Sequence, residues 1–155
     1  MYDYHFTINH KIWDQCIVAL TDEQFTQDVH YSVGSARNQV VHMMNIDDRW
    51  FSGLRGEEVP GFIKPEAWPD REVIREKWDV VELRMREYLS KLTDDMLPTI
   101  PFKEQDAEDT TQLWQILMHL VNHGTDHRAQ LLCLLNQLGV KTFPQDYFFF
   151  VIGHM

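Results

Sequence analysis

Three of the eight histidines lie four residues apart, at His119, His123 and His127. Residues four apart on a helix differ by about 40° around its axis and by one turn along it, so neighbouring pairs direct two imidazoles at one point. Transition metals bind such nitrogens at about 2.0–2.1 Å. A third ligand must come from another helix, and His42, in the middle of the second predicted helix, is the candidate. Three protein ligands leave a coordination position open, which is typical of a catalytic metal site.

The spacing leaves two alternatives open. The metal-binding pair could be His119 with His123 or His123 with His127. The same histidines could instead be hydrogen-bonded side chains of a polar core. Two common metal sites are excluded. The His-Glu-x-x-His site of metalloproteases needs a Glu directly after the first His, and neither pair has one. The di-iron carboxylate bundles need Glu-x-x-His, which does not occur in the sequence. What remains is a mononuclear, nitrogen-rich site, which favours Zn or Ni, with Fe, Co and Cu as further candidates, over Mg or Ca.

Several polar residues lie where they could orient these imidazoles, since a ligating histidine usually donates its other N–H to an oxygen. Those on the second helix share the face of His42. Those on the fourth helix follow His123 and His127 by three residues each. They are Asn38, Asn45, Arg49, Asp126 and Gln130.

Four amphipathic stretches must position these residues. The first covers about residues 3–20 and the second about 36–55, with Ser35 as its N-cap and Gly56 at its end. The third follows an N-cap at Asp70 and closes at residues 93–95, and the fourth follows Thr110 or Thr111 and reaches about residue 138. Thr21 is expected to cap a short additional turn.

This pattern predicts an all-α, four-helix bundle formed by one domain over residues 1–155, with a short edge strand at residues 99–102. The tail at residues 147–152 is strongly apolar. We therefore expect the tail to be buried, either against the bundle or against a second subunit.

Composition excludes several function classes. The net charge of the 155 residues is −10 and there is no basic stripe, so we expect no nucleic-acid partner. Two cysteines, Cys16 and Cys133, suit a reducing compartment, and both lie in apolar helical settings typical of small core residues. The N-terminus shows no secretion signal and no run of 18 apolar residues exists, so the sequence predicts a cytoplasmic protein without a membrane partner.

The sequence resembles the DinB/YfiT superfamily. Residues 122–130 read Asn-His-Gly-Thr-Asp-His-Arg-Ala-Gln, which is similar to the signature of these proteins. The resemblance extends over essentially the whole chain, through residues 20–25 and 32–35, His42 with Trp50, and residues 88–94 and 144–147. One departure is Ala129, where the family often has Gly.

The resemblance implies a metal-dependent four-helix bundle whose ligands are His42, His123 and His127, with His119 as a neighbour. It also implies a homodimer and a small-molecule substrate. Characterised relatives use thiols such as mycothiol or bacillithiol, so the leading hypothesis is a metal-dependent transfer of a low-molecular-weight thiol onto a small electrophile. The alternatives are a hydrolase with metal-bound hydroxide and a metal-binding or dimeric interaction module without turnover.

Overall fold

The computed structural model describes residues 1–68, 70–102, 106 and 108–154. Within them the chain forms six α-helices and no strand, which confirms the all-α prediction. A π-helical segment, Trp13–Ile17, continues the first helix, and Pro65–Ala67 and Asp94–Met96 are 3₁₀ turns. The helices are α1 (Tyr2–Ile12), α2 (Asp22–Thr26), α3 (Ala36–Leu54), α4 (Arg71–Leu89), α5 (Leu113–Gln137) and α6 (Tyr147–Val151).

The predicted helix starts are confirmed where a side chain caps them. The Ser35 hydroxyl accepts a hydrogen bond from the Asn38 amide, and the Asp70 carboxylate accepts one from the Glu72 amide. Thr21 forms a reciprocal capping box with Gln24 at the start of α2. These local bonds satisfy amide groups that have no partner within the helix, which is why they can be predicted from sequence.

The edge strand predicted at residues 99–102 is wrong. Thr99 forms a bend and Pro101 and Phe102 a turn, with no strand among these residues. The carbonyls of Leu97 and Thr99 accept hydrogen bonds from the amides of Trp114 and Leu113, respectively. The carbonyls thereby satisfy the first amides of α5, while prolines on either side of Thr99 limit any strand ladder. α5 accordingly begins at Leu113, later than an N-cap at residue 110 or 111 would place it.

The chain divides into two compact units. The first comprises residues 1–40 and the described part of 123–155, and the second comprises residues 41–122. The first buries, among others, Phe6, Ile8, Phe25, Leu131 and Leu135. The second buries, among others, Val41, Phe51, Ile74, Met85 and Ile116.

The apolar tail forms α6, within the first unit. Tyr147 and Phe150 pack edge-on against the buried Tyr4 of α1, with ring centroids 5.2 and 5.6 Å away. The other large apolar side chains of the tail are 41–64% exposed, so the expectation of burial against the chain's own helices is wrong for them. They are Phe148, Phe149, Val151 and Ile152.

No helix in the described part of the chain is long and apolar enough to cross a membrane.

Candidate metal centre

Three of the predicted histidines converge. His42 lies on α3, and His123 and His127 lie one turn apart on α5. Each offers a ring nitrogen, and the three nitrogens all lie within 4.8 Å of one another. The rings of His123 and His127 are 4.4 Å apart between centroids, at an interplanar angle of 42°. The three histidines are therefore positioned to bind a divalent metal ion.

The donor set fits such an ion. Two nitrogens bound to a tetrahedral metal at about 2.1 Å stand roughly 3.4 Å apart, so small side-chain rotations would close the observed spacing. All three residues are half-buried. Burial lowers the pKa of His127, although the nearby Asp126 carboxylate opposes this effect. A lowered pKa favours the neutral imidazole, which is the form that coordinates a metal.

Gln39 orients His127. The Gln39 side chain is fully buried on α3, and its Oε1 lies 3.0 Å from Nδ1 of His127. The Gln39 amide nitrogen donates to Oε1 of Gln130 at 3.3 Å, which sets the direction of the amide group. Its oxygen therefore faces the imidazole, an arrangement that favours a proton on Nδ1 and would leave Nε2 for a metal.

The network continues to the surface through Gln130. Its Oε1 also accepts a hydrogen bond from the Ser32 hydroxyl, and its Nε2 donates to Asp126 at 2.9 Å. Gln130, predicted near the site, thus acts on His127 through Gln39. Asp126, also predicted there, holds Gln130 and acts directly on the charge of His127. Gln39 is not among the residues predicted from sequence, although its position three residues before His42 on the same helix places it on the same face.

The other candidate polar residues bond elsewhere. Asn45 bonds both the amide and the carbonyl of Ile63, and Arg49 donates to the carbonyl of Pro60. These two side chains therefore hold the segment after α3. Asn38 likewise donates to the carbonyl of Val33, in the loop before α3.

His119 is not part of the cluster and is exposed on α5, where its ring meets Trp50 with centroids 6.0 Å apart. Of the two histidine pairs that the spacing allowed, the structure therefore brings the second to His42. Ala129 is also exposed, so its methyl group meets solvent where the family often has Gly.

Arg128, next to the histidine motif, is structural. It is fully buried and donates to Gln145, Asn9 and Thr125 at 3.0–3.1 Å. It also lies 3.1 Å from Nδ1 of His5 on α1. These contacts join α5 to α1 and to the segment before α6, and thereby fix the helix that carries two of the three histidines.

An all-helical chain with three convergent histidines defines a class of helical metal-binding proteins. A model of the DinB family matches residues 1–153, and the chain belongs to this family. It is also similar to Protein DinB of Bacillus subtilis (strain 168), with 23% identity over 159 residues covering 95% of this chain and 89% of that protein. The helical architecture and the histidine cluster agree with a DinB-like helical bundle, and the resemblance identified from sequence is confirmed.

Proposed function

We propose that this protein is a metal-dependent enzyme that transfers a low-molecular-weight thiol onto a small electrophile. The observation that carries the proposal is the convergence of His42, His123 and His127, three imidazole donors with no carboxylate among them. Three protein ligands leave a position for a substrate, and a nitrogen-rich set suits Zn or Ni best, with Fe, Co and Cu as further candidates.

The cluster supplies no carboxylate base, so the nucleophile must be activated in another way. A bound divalent metal acts as a Lewis acid and lowers the pKa of a coordinated thiol towards neutrality. In the overall reaction the thiol releases its proton to solvent, its sulfur forms a bond to an electrophilic carbon, and the leaving group departs with the displaced electron pair. Gln39 contributes by holding the His127 ring and its tautomer.

The sulfur is supplied by a cosubstrate because neither cysteine suits the role. Cys16 is fully buried, and burial raises the pKa of its thiol, so it is the unreactive core residue that we expected. Cys133 was also predicted to be a core residue, and this prediction is wrong because Cys133 is exposed on α5. Cys133 is not a member of the histidine cluster.

Elemental analysis of gently purified protein tests the metal. We expect about one equivalent of transition metal in wild type, much less in His42→Ala, and wild-type content in His154→Ala, which removes an exposed histidine outside the cluster. Added zinc should also raise the melting temperature of wild type but not of His42→Ala, since a ligand that binds the folded state stabilises it.

Turnover tests the reaction. Metal-loaded wild type and His123→Ala are each incubated with a panel of small thiols and an activated aryl halide, and the rate of thioether formation is compared between the two proteins. We expect formation that requires both metal and thiol and that falls at least about tenfold in His123→Ala, with His154→Ala unchanged. Metal-dependent cleavage of esters or amides without thiol would replace this proposal with a hydrolase. If the protein binds metal but converts neither the thiols nor the esters and amides, it is a binding module without turnover.

A further inference from the structure

A cavity of about 370 Å³ adjoins α3 within the second unit. Its size falls in the range of sites for small organic molecules and exceeds what a single ion needs. Its described lining is largely apolar and comprises Ile46, Arg49, Trp50, Gly53, Val59, Phe62 and Phe102.

The cavity lies on the face of α3 that carries His42. Ile46, Arg49 and Gly53 follow His42 at steps of four, three and four residues. At 100° per residue these positions fall within about 60° of one another around the helix axis, and Arg49 lies about 10 Å along the axis from His42. A molecule of that length would therefore reach from the histidine to Arg49 along one helix face.

The chemistry of the lining is aromatic with one cation. Trp50 packs against Phe102, with centroids 5.9 Å apart, and the Arg49 guanidinium lies 4.3 Å from the ring centroid of Phe62. Among the described lining residues Arg49 alone carries a charge. Its carbonyl partner, at Pro60, and its ring partner are both neutral, so neither neutralises the guanidinium. A planar guanidinium suits a carboxylate, which can accept two parallel hydrogen bonds.

Gly53 shapes the wall of the cavity. Gly53 lies in the last turn of α3, and what matters here is the space that its missing side chain leaves. A β-carbon at this position would lie 3.2 Å from Cε1 of Phe102 and 3.5 Å from Cγ2 of Val59. The missing side chain therefore lets Phe102 and Val59 approach α3 and form part of the cavity wall.

We propose that this cavity binds the substrate of the metal centre and that the substrate is a small aromatic carboxylate. Its ring lies among Trp50, Phe62 and Phe102, and its carboxylate bonds Arg49, which makes Arg49 the residue that determines specificity. The link to catalysis rests on the proposed function, whereas binding in the cavity does not.

Calorimetric titration of the metal-loaded full chain tests the inference with 2-naphthoate and its neutral counterpart, 2-naphthamide. We expect naphthoate to bind at least tenfold more tightly than the amide. Arg49→Gln should remove that preference and leave the amide affinity unchanged. Arg86→Gln, which removes an exposed arginine of α4 and matches the change in charge, should bind naphthoate as wild type does.

A second variant tests the cavity itself, because Arg49 also holds Pro60. Gly53→Leu fills the space from α3 while Arg49 is retained, and it should weaken both ligands at least tenfold. The melting temperature and circular dichroism of each variant establish that it is folded. Wild-type affinity for both ligands in a folded Gly53→Leu protein would overturn the location.

The same titration separates this inference from the metal proposal. In His42→Ala, and in wild type treated with a chelator, naphthoate binding should persist even if no metal proves to be bound. Loss of binding in both, with Arg49→Gln unaffected, would show that the carboxylate binds the metal, and would overturn the role of Arg49. Equal affinity of wild type for acid and amide, or no binding of either, would overturn the proposal as well.

Discussion

The imidazole of His127 is oriented by an amide rather than by a carboxylate. A carboxylate partner would raise the basicity of the ring more, but it would add a buried negative charge beside the cluster. Gln39 holds the same geometry without that charge, and its orientation is itself fixed by Gln130. The site thus depends on a partly buried polar network in which each amide has a defined direction.

Replacement of Gln39 should therefore weaken metal binding. Gln39→Leu removes the acceptor for Nδ1 of His127, and we expect zinc affinity to fall about 10- to 100-fold, measured by competition with a chromophoric chelator. Gln39→Glu restores an acceptor and should recover most of the affinity. Gln137→Leu, at an exposed glutamine near the end of α5, is the matched control. Wild-type affinity in a folded Gln39→Leu protein would show that the contact does not support the site.

The two cysteines should differ strongly in reactivity. Cys16 is inaccessible and burial raises its pKa, so less thiolate is present at any pH below that pKa, whereas Cys133 is exposed. With a thiol-specific disulfide reagent at pH 8, we expect one thiol to react rapidly and the second only after denaturation. Mass spectrometry should place the rapid label on Cys133, and Cys133→Ser should abolish it. A rapid label on Cys16 in the native protein would contradict the burial described.

At the residue scale, spacing predicts geometry where a single helix sets it. His123 and His127 share a face by spacing alone, and His42 was predicted from its place in the middle of the second helix. The choice of this pair over His119 and His123 required the family resemblance. The partners of Asn45 and Arg49 could not be predicted, because they depend on the path of the segment after α3. Gln39 lies on the same helix face as His42, but its buried contact with His127 depends on the packing of a second helix and could not be predicted from spacing.

At the scale of elements, the predicted helices are correct where capping is local. Ser35, Asp70 and Thr21 bond amides two or three residues away, so sequence alone identifies them. The start of α5 is instead fixed by the carbonyls of Leu97 and Thr99, which come from a distant segment. The π-helical Trp13–Ile17 likewise gave no signal, since its apolar spacing also suits an α-helix.

Gly124 provides a test of how α5 packs on α1. A β-carbon there would lie 2.5 Å from Cε1 of His5 and 3.0 Å from the Arg128 guanidinium. Both side chains are buried, and hydrogen bonds hold the guanidinium. We expect Gly124→Ala to lower the free energy of unfolding by about 1–3 kcal/mol, although alanine favours a helix by about 1 kcal/mol.

Denaturant unfolding of Gly124→Ala measures this effect. Asn136→Ala, at an exposed position of the same helix, is the control, and its better helix propensity should stabilise the protein by about 0.5 kcal/mol. If Gly124→Ala were as stable as the control or more so, close approach of α1 would not be the reason for glycine at this position.

At the scale of the whole molecule, sequence predicted the class of fold but not the exposure of its end. The four long helices follow from periodicity because each needs only one apolar face. Burial of the tail was predicted from its apolar composition, which does not determine what an apolar segment packs against. In the structure, Tyr147 and Phe150 face Tyr4, and the remaining side chains of α6 form an apolar patch that the chain leaves exposed.

We propose that this patch supports the predicted homodimer, because contiguous exposed apolar surface favours association. Phe148 and Val151, 64% and 60% exposed, lie three residues apart on α6 and do not share the Tyr4 contact. Wild type should sediment as a dimer, and the double change Phe148→Lys with Val151→Lys should raise the dimer dissociation constant at least about tenfold while the melting curve stays cooperative. Val18→Lys, at a 63% exposed apolar residue outside α6, should leave the dimer unchanged. A wild-type protein that remains monomeric at high concentration would contradict the homodimer, since the patch would then stay in water without a partner subunit.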